Sequence, residues 1–154
     1  MNPRLITVKR MYVAGLEVRT TNPEEMNPAT AKIPGIWGRF HQEGLIEKVP
    51  GRRSGCAPLG VYSKYETDHT GPYSLLAGVE MSGPNVPDGM VGVTVLEGPY
   101  LVFSAHGPMP QSLIQTWLAI WDYFSKDSKY GRAYTTDFEL YRGKDTVDIH
   151  IAVK

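Results

Sequence analysis

A break rich in proline and glycine divides this chain into two segments of matching layout. Residues 82–89 read SGPNVPDG and separate residues 5–81 from residues 90–154. Each segment contains an extended stretch, then a helical pattern, then two further strand-like runs. One such unit has too few strands to cover its own apolar surface, so the two are expected to pack on each other. The sequence therefore predicts a single α+β domain over residues 1–154, built from duplicated β-α-β-β units.

The first unit is predicted to begin with one strand over residues 5–20, bent at Gly15, because glycine inside a strand often marks a bulge. Asn22 then caps a helix, which prolines divide into pieces. Strands over residues 59–67 and 73–81 close the unit as a hairpin. The apolar face of the helix repeats every three or four positions and is formed by Ile33, Ile36, Trp37 and Phe40.

The second unit repeats this order. Residues 90–107 are strand-like with a bend at Gly98, residues 111–126 form the clearest helix, and residues 133–141 and 147–153 form the closing hairpin. The apolar stripe of the helix consists of Leu113, Trp117, Ile120, Trp121 and Phe124. Together the units predict an antiparallel sheet with two helices and a central cleft on a pseudo-twofold axis, where a ligand pocket is expected.

One carboxylate, Glu139, lies between Phe138 and Leu140 in the closing hairpin. Because side chains alternate along a strand, we place the apolar residues of both hairpin strands on one face and Glu139 opposite them, with Asp148 and His150. Two interpretations stay open. Glu139 is an ordinary acid on a solvated face, or it faces the cleft between the units. In the cleft, burial would raise the pKa of Glu139, and a bound cation would restore its ionised form.

Composition excludes several classes of function. Sixteen basic residues balance sixteen acidic ones, so no positive excess indicates nucleic acid or a membrane surface as a partner. No apolar run approaches the roughly 20 residues that span a bilayer, and the first residues indicate a strand, so a cytoplasmic protein is expected. The one cysteine, Cys56, excludes an internal disulfide and is interpreted as an incidental thiol. No metal site or cofactor is predicted, because metal-ligand spacing is missing among His41, His69, His106 and His150.

Several segments together resemble the GyrI-like small-molecule-binding superfamily, which includes the effector-binding domains of AraC- and MerR-type regulators. The combination is most similar to stand-alone, integron-associated effector-binding proteins. The resemblance covers nearly the whole chain, and its specificity comes from the order of the segments rather than from any single motif. The segments are IPGIWGRF, GVYSKYETDHTGPYSLLAGVEM, EGPYLVFSAHG, TWLAIWDYF and the closing hairpin AYTTDFELYRG with TVDIHIAVK.

The resemblance implies non-enzymatic binding of lipophilic, cationic small molecules in a cleft between the halves. Glu139 matches the acidic anchor of the family, and Asp148 matches an acid that often follows in the last strand. Aromatic side chains line the cleft in the family. The candidates here are Trp37, Tyr62, Tyr100, Trp117, Trp121 and Tyr141.

The resemblance leaves the output of ligand binding open. The sequence contains no helix-turn-helix ahead of the domain, so we expect no direct contact with nucleic acid. Binding would feed transcriptional regulation through a DNA-binding or transcription partner protein, or would simply sequester the ligand. Two other functions stay open, namely a hydrolase that uses the cleft glutamate as a general base and a protein-interaction module of the topoisomerase-inhibitor type. A homodimer also stays open.

Overall fold

The computed structural model of the chain describes residues 3–49, 57–126 and 129–154. The thiol of Cys56 therefore lies outside the described residues. The strands are β1 (Arg4–Val8), β2 (Met11–Thr20), β3 (Leu59–Ser63), β4 (Tyr73–Met81), β5 (Val91–Val95), β6 (Gly98–His106), β7 (Asp137–Tyr141) and β8 (Thr146–Ala152). The helices are α1 (Asn22–Met26), α2 (Ile33–Gln42), α3 (Leu45–Lys48) and α4 (Gln111–Ser125).

The eight strands form one antiparallel sheet in the order β1-β6-β8-β7-β3-β4-β2-β5. The units correspond strand by strand, so that β1 to β4 of the first unit match β5 to β8 of the second. If each strand is replaced by its counterpart, the sheet order becomes the original order read from the opposite edge. The pseudo-twofold axis therefore passes between β3 and β7. This confirms the predicted α+β fold of duplicated β-α-β-β units, to which the structure adds the short helices α1 and α3.

The predicted single strand over residues 5–20 is in fact two strands. The chain leaves the sheet at Lys9 and Arg10, and β1 pairs with β6 while β2 pairs with β4 and β5. The predicted bend at Gly15 is wrong, since this glycine lies inside β2 directly opposite Gly78. A Cβ atom at Gly15 would overlap the carbonyl oxygen of Ala77, so the glycine serves close backbone approach.

The second unit is divided in the same way between β5 and β6. Strand β5 pairs with β2 of the first unit, and β6 pairs with β1 of the first unit and with β8. Each unit therefore contributes its first strand to the outer edge of the other unit's half of the sheet. The halves are joined at both edges as well as at the axis.

Helices α2 and α4 cover one face of the sheet. Ile36 and Phe40 of α2 are buried against Leu75 of β4, and Ile120 of α4 is buried against Ile149 of β8. A third cluster lies on the opposite face of the sheet and includes Val13, Val61, Leu76, Tyr100 and Phe138. The strands near the axis are therefore buried on both faces.

The first helical segment comes in pieces, as its prolines predict. Its cap differs from the prediction, because Thr21 rather than Asn22 is the N-cap of α1. The extended backbone of Thr21 lets its hydroxyl accept a hydrogen bond from the Glu24 N–H at 3.3 Å. No helix within the described ranges combines the length and apolar character needed to cross a membrane.

Candidate functional site

A cavity of about 540 Å³ lies where β3 and β7 meet at the axis, and α1, α2 and α4 supply its other walls. Its aromatic lining consists of Tyr62, Tyr65, Tyr73, Trp117, Trp121 and Tyr141. Its polar lining consists of Asn22, Glu25, His69, Arg132 and Glu139. Its apolar lining consists of Met26, Pro28, Ile33, Pro34, Pro110, Leu113, Ile114 and Leu118. A mostly apolar pocket with a few polar groups is the usual form of a small-molecule site.

Glu139 lies on the cavity side of β7 and is 2% exposed. The strand register places it opposite Gly60 of β3, which has no side chain to occupy the space beside the carboxylate. A Cβ atom at Gly60 would lie only 3.0 Å from Glu139 Oε1. Because Gly60 has no side chain, the Glu139 carboxylate can occupy the space beside it.

The predicted companions of Glu139 on its face are wrong. The register of β7 with β8 pairs Glu139 with Ile149, whereas His150 lies opposite Phe138. Asp148 lies opposite Leu140, and directly opposed residues project from the same face of a sheet. The error arises because β8 is buried on both faces, so apolar character does not show which face of β8 adjoins the cavity.

Three neutral donors surround the Glu139 carboxylate. The Tyr62 hydroxyl and the Trp117 indole N–H donate to Oε2 at 2.8 Å and 2.7 Å, and the Tyr141 hydroxyl donates to Oε1 at 2.7 Å. No cationic side chain among the described residues forms an ion pair with this carboxylate. Three of its roughly four acceptor positions are therefore filled, while its negative charge has no counter-charge.

Burial and hydrogen bonding act on the pKa of Glu139 in opposite directions. Removal from water raises the pKa and is the dominant cause, and the hydrogen bonds from Trp117, Tyr141 and Tyr62 lower it, so that the net direction is upward. Burial and the neighbouring carboxylate raise the pKa of the Tyr62 and Tyr141 hydroxyls well above their usual value. Both phenols therefore stay protonated and remain donors.

Aromatic rings form a continuous wall beside the carboxylate. The Trp117 ring contacts Tyr62 edge-on with centroids 5.2 Å apart, and it lies 6.4 Å from Trp121. Tyr62 in turn lies 5.5 Å from Tyr73, also between ring centroids. The faces of such rings attract cations, by about 0.5–2 kcal/mol for a favourable contact. The wall and the carboxylate thus favour the same sign of charge.

Five of the eight predicted site residues line the cavity: Glu139, Tyr62, Trp117, Trp121 and Tyr141. Trp37 lies on the same side of the sheet behind this lining, where its ring contacts Tyr141 with centroids 5.0 Å apart. Trp37 thus supports one of the donors to Glu139 rather than forming the cavity surface.

Tyr100 and Asp148 lie away from the cavity. Tyr100 is 1% exposed in the cluster on the opposite face of the sheet, where its hydroxyl donates to the Leu96 carbonyl at 2.7 Å. Asp148, on that same face, accepts hydrogen bonds from Ser104 at 2.7 Å and Arg142 at 2.8 Å. Both placements follow from strand alternation, since these residues project from the face opposite the helices.

Sequence reasoning missed several lining residues, chiefly Tyr65, Tyr73, Glu25 and Arg132. The pairing of Tyr62 with Leu75 in the hairpin of β3 and β4 would have placed Tyr73 on the cavity face. Glu25 and Arg132 carry no comparable signal, because they come from α1 and from the segment before β7.

Arg132 is the cation on the cavity wall, and it already has a partner. Its guanidinium donates to Asp137 Oδ2 at 2.7 Å, and Tyr65 donates its hydroxyl to the same oxygen at 2.6 Å. Arg132 is 7% exposed and Asp137 is fully buried. The pair adds no net charge to the cavity. The described residues also contain no group of three or more His, Cys, Asp or Glu side chains that could hold a metal ion.

The pseudo-twofold sheet with a cavity at its axis is the fold of the GyrI-like effector-binding domains. The chain belongs to the Cass2 family of integron-associated effector binding proteins, which matches residues 4–153. This confirms the family resemblance of the sequence.

Solved structures agree with this assignment. Integron cassette protein VCH_CASS2, from the mobile metagenome of Vibrio cholerae, is 38% identical with a TM-score of 0.86, over 99% of this chain and 95% of that chain. SAV2435, solved bound to tetraphenylphosphonium, is 23% identical with a TM-score of 0.77, over 100% of this chain and 94% of that chain. EcmrR, solved in a complex with DNA, is 13% identical with a TM-score of 0.65, over 99% of this chain and 57% of that chain. The last two show likeness of fold alone. No curated protein sequence matches the chain significantly.

Proposed function

We propose that this protein is a non-enzymatic receptor for lipophilic organic cations and that Glu139 is the anchor for their positive charge. The observation that carries the proposal is the buried Glu139 carboxylate, which three neutral donors bind and no cation neutralises within the described residues. A buried charge without a counter-charge is costly, and a bound cation removes that cost.

The walls favour a ligand that is apolar as well as charged. The cavity volume of about 540 Å³ lies within the range of roughly 300–1,000 Å³ that is typical of small-molecule sites. The rings of Trp117, Trp121 and Tyr62 present apolar surface next to the carboxylate. A delocalised or quaternary cation with aromatic or alkyl substituents suits this lining better than a small, strongly hydrated ion. The tetraphenylphosphonium bound to SAV2435, a protein of the same fold, is a ligand of this class.

The test uses two ligands of the same shape and opposite charge, tetraphenylphosphonium and tetraphenylborate. We expect the wild type to bind the phosphonium and to reject the borate. Glu139→Gln keeps the size of the side chain and removes its charge, so phosphonium affinity should fall by about 30-fold or more, since truncating a buried charge pair costs at least about 2 kcal/mol.

Glu66→Gln is the matched control, because Glu66 is 64% exposed on its side chain and lies outside the cavity lining. Its phosphonium affinity should equal that of the wild type by calorimetry. Equal phosphonium binding by wild type and Glu139→Gln would exclude the anchor role.

The hydrolase alternative requires Glu139 to act as a general base. A general base must reach a water molecule, and hydrogen bonds from Tyr62, Trp117 and Tyr141 already fill three of the roughly four acceptor positions of this carboxylate. We therefore expect no product from an activated ester such as para-nitrophenyl acetate beyond the rate seen with Glu139→Gln. Turnover that depends on Glu139 would favour the enzyme.

We further propose that ligand binding either sequesters the cation or acts on transcription through a partner protein. The two outputs differ in what the ligand changes. A purified transcription component whose association with the protein changes on adding tetraphenylphosphonium would support regulation. Protection of cells against a toxic lipophilic cation in proportion to the amount of protein, without change in transcript levels, would support sequestration.

A further inference from the structure

A second carboxylate, Glu25, lines the same cavity from helix α1. Its side chain is half-buried and held in place by three hydrogen bonds from neutral donors. Its Oε1 accepts from the Ile33 N–H at 3.0 Å, and its Oε2 accepts from the Lys32 N–H at 2.9 Å and from the Thr20 hydroxyl at 2.5 Å. These bonds attach the carboxylate to the start of α2 and leave its negative charge in place.

No cation in the described part of the chain pairs with Glu25. Lys32, whose backbone N–H binds Glu25, has its ammonium nitrogen 3.5 Å from Glu24 Oε2 and donates to the Arg19 carbonyl at 3.0 Å. Arg132, the cation on the cavity wall, is matched by the buried Asp137. The ionised cavity therefore carries two negative charges without counter-charges, one at Glu25 and one at Glu139.

Two tyrosines separate these carboxylates. Tyr62 donates its hydroxyl to Glu139, and its ring lies 5.5 Å from that of Tyr73. Tyr73 donates its hydroxyl to Asn22 Oδ1 at 2.8 Å, and Asn22 lies on α1 one turn before Glu25. Burial, Glu25 and Glu139 together raise the pKa of Tyr73, so its hydroxyl is within electrostatic reach of both acids. Tyr62 and Tyr73 thus form a chain of contacts from the Glu139 carboxylate to the helix that carries Glu25.

We propose that the cavity selects elongated organic dications, with one cationic centre against Glu139 and the second beside Glu25 near the mouth. The proposal rests on the cation-receptor function and adds a ligand class to it. A monocation neutralises only one of the two carboxylates, whereas a dication neutralises both. The linker between the two charges lies along the rings of Tyr62 and Tyr73 and the exposed apolar side chains of Met26 and Ile114 at the mouth.

The test compares ligands that differ by one charge, decamethonium with decyltrimethylammonium and hexamethonium with hexyltrimethylammonium. Titration calorimetry, together with the fluorescence of Trp117 and Trp121 in the cavity wall, reports binding. The wild type should bind decamethonium about tenfold more tightly than decyltrimethylammonium, although the monocation has the more apolar tail. The shorter pair tests how the preference depends on the length of the linker between the two charges.

Glu25→Gln should remove the preference for decamethonium, because it should lower decamethonium affinity more than decyltrimethylammonium affinity. Glu24→Gln is the matched control, because it removes the same charge one residue away, from a side chain that pairs with Lys32 and does not line the cavity. Its preference should remain. Thr20→Val removes one hydrogen bond from Glu25 without changing charge and should also keep the preference. Thermal melting checks that each variant is folded.

Equal affinity of the wild type for the two long ligands, or a preference that survives in Glu25→Gln, overturns the inference. If the same protein still binds tetraphenylphosphonium in a way that depends on Glu139, the receptor function is supported although the dication preference is not. Binding of none of these cations overturns both. If Glu25→Gln does not fold, the salt dependence of ligand binding by the wild type tests the inference instead. Because Glu25 is half-exposed, the dication preference should shrink as ionic strength rises, and a preference independent of salt overturns the inference.

Discussion

Trp117 on helix α4 donates its indole N–H to Glu139 Oε2 on strand β7 over 2.7 Å. This bond is one of the three hydrogen bonds that lower the pKa of Glu139 against the effect of burial. It also ties α4 to the strand beside the pseudo-twofold axis. The same indole therefore positions the carboxylate, stabilises its ionised form and presents a ring face to the cavity.

Trp117→Phe should weaken cation binding while keeping an aromatic ring in the wall. Loss of the donor removes a charge-assisted bond worth about 1.5–3 kcal/mol to the ionised carboxylate, so the pKa of Glu139 should rise further. At neutral pH the affinity for tetraphenylphosphonium should fall by about tenfold. Calorimetric titrations at several pH values measure both effects.

Trp121→Phe is the matched control for this variant. Trp121 also lines the cavity on α4, but its ring stacks on His69 with centroids 6.3 Å apart and makes no bond to Glu139. The substitution should change affinity less than Trp117→Phe and should leave the pH dependence of binding unaltered. Equal effects of the two variants on that pH dependence would show that the indole N–H does not set the state of Glu139.

Cation affinity should rise with pH through the titration of Glu139. Burial raises the pKa of this carboxyl, so the acid is protonated at low pH and offers no charge to a cation. Affinity for tetraphenylphosphonium should increase as pH passes from the ordinary Glu value of about 4.3 up through the raised pKa, and should then level off. Binding inside this window should release protons, which titrations in buffers of different ionisation enthalpy detect.

Stability without ligand should show the opposite trend over the same window. A folded-state pKa above the unfolded value means that the folded protein holds the proton more tightly. The contribution of Glu139 to stability is therefore fully present below the unfolded pKa and is lost as pH rises through the folded pKa. The difference in free energy of unfolding between wild type and Glu139→Gln should change across this window in urea titrations and stay constant above it.

The duplicated layout was accessible from the sequence because hydrophobic periodicity and breaker residues are local signals. The repeat of strand, helix, strand and strand around residues 82–89 predicted two matching units with a cleft between them, but it did not predict the order of the strands in the sheet. Glu139 drew attention as an acid between Phe138 and Leu140, but alternation left its burial open and the family resemblance supplied its expected role as anchor. Strand register is not local. Alternation defines two faces for each strand but does not say which faces of two strands align.

Asp148 and Tyr100 show the consequence of this limit. Asp148 lies on β8 and Tyr100 on β6, and both side chains project from the face of the sheet away from the helices. Glu25 shows a second limit. It belongs to a five-residue helix whose place over the cavity depends on tertiary contacts such as the bond from Asn22 Nδ2 to the His69 carbonyl at 2.8 Å. Neither kind of placement leaves a periodic pattern in the sequence.

Gly60→Ala should displace the Glu139 carboxylate and weaken cation binding. The new Cβ atom would lie 3.0 Å from Glu139 Oε1 and 3.4 Å from Trp37 Cζ2, so the side chains beside it must shift. Phosphonium affinity should fall several-fold, with a stability loss of about 1–3 kcal/mol from overpacking.

Gly38→Ala on α2 provides the comparison, because a Cβ atom there meets nothing within 4 Å. In a helix interior this change should stabilise the protein by about 0.5–1 kcal/mol and leave phosphonium affinity unchanged. An unchanged affinity in Gly60→Ala would show that the position of the carboxylate tolerates a neighbouring methyl group.

Arg132→Met should destabilise the protein far more than Arg142→Met, although both arginines form a carboxylate pair of nearly equal length. Arg132 lies 2.7 Å from Asp137 with both side chains buried, whereas Arg142 lies 2.8 Å from Asp148 with its own side chain 58% exposed. Removing Arg132 leaves a buried carboxylate without a cation, at a cost of about 3–5 kcal/mol.

Removing Arg142 should cost less, because its exposed position lets water take its place beside Asp148, which Ser104 also binds. Urea denaturation of the two variants measures the difference. Similar losses of unfolding free energy would mean that the other hydrogen bonds to the Asp137 carboxylate are enough to stabilise it without Arg132. These bonds come from the Tyr65 hydroxyl at 2.6 Å and the Ala152 N–H at 2.8 Å. A large loss of unfolding free energy confined to Arg132→Met would show that Arg132 stabilises the fold through its pair with Asp137. Of the two deeply buried acids beside the cavity, Asp137 and Glu139, Glu139 is then the one whose charge a ligand can neutralise.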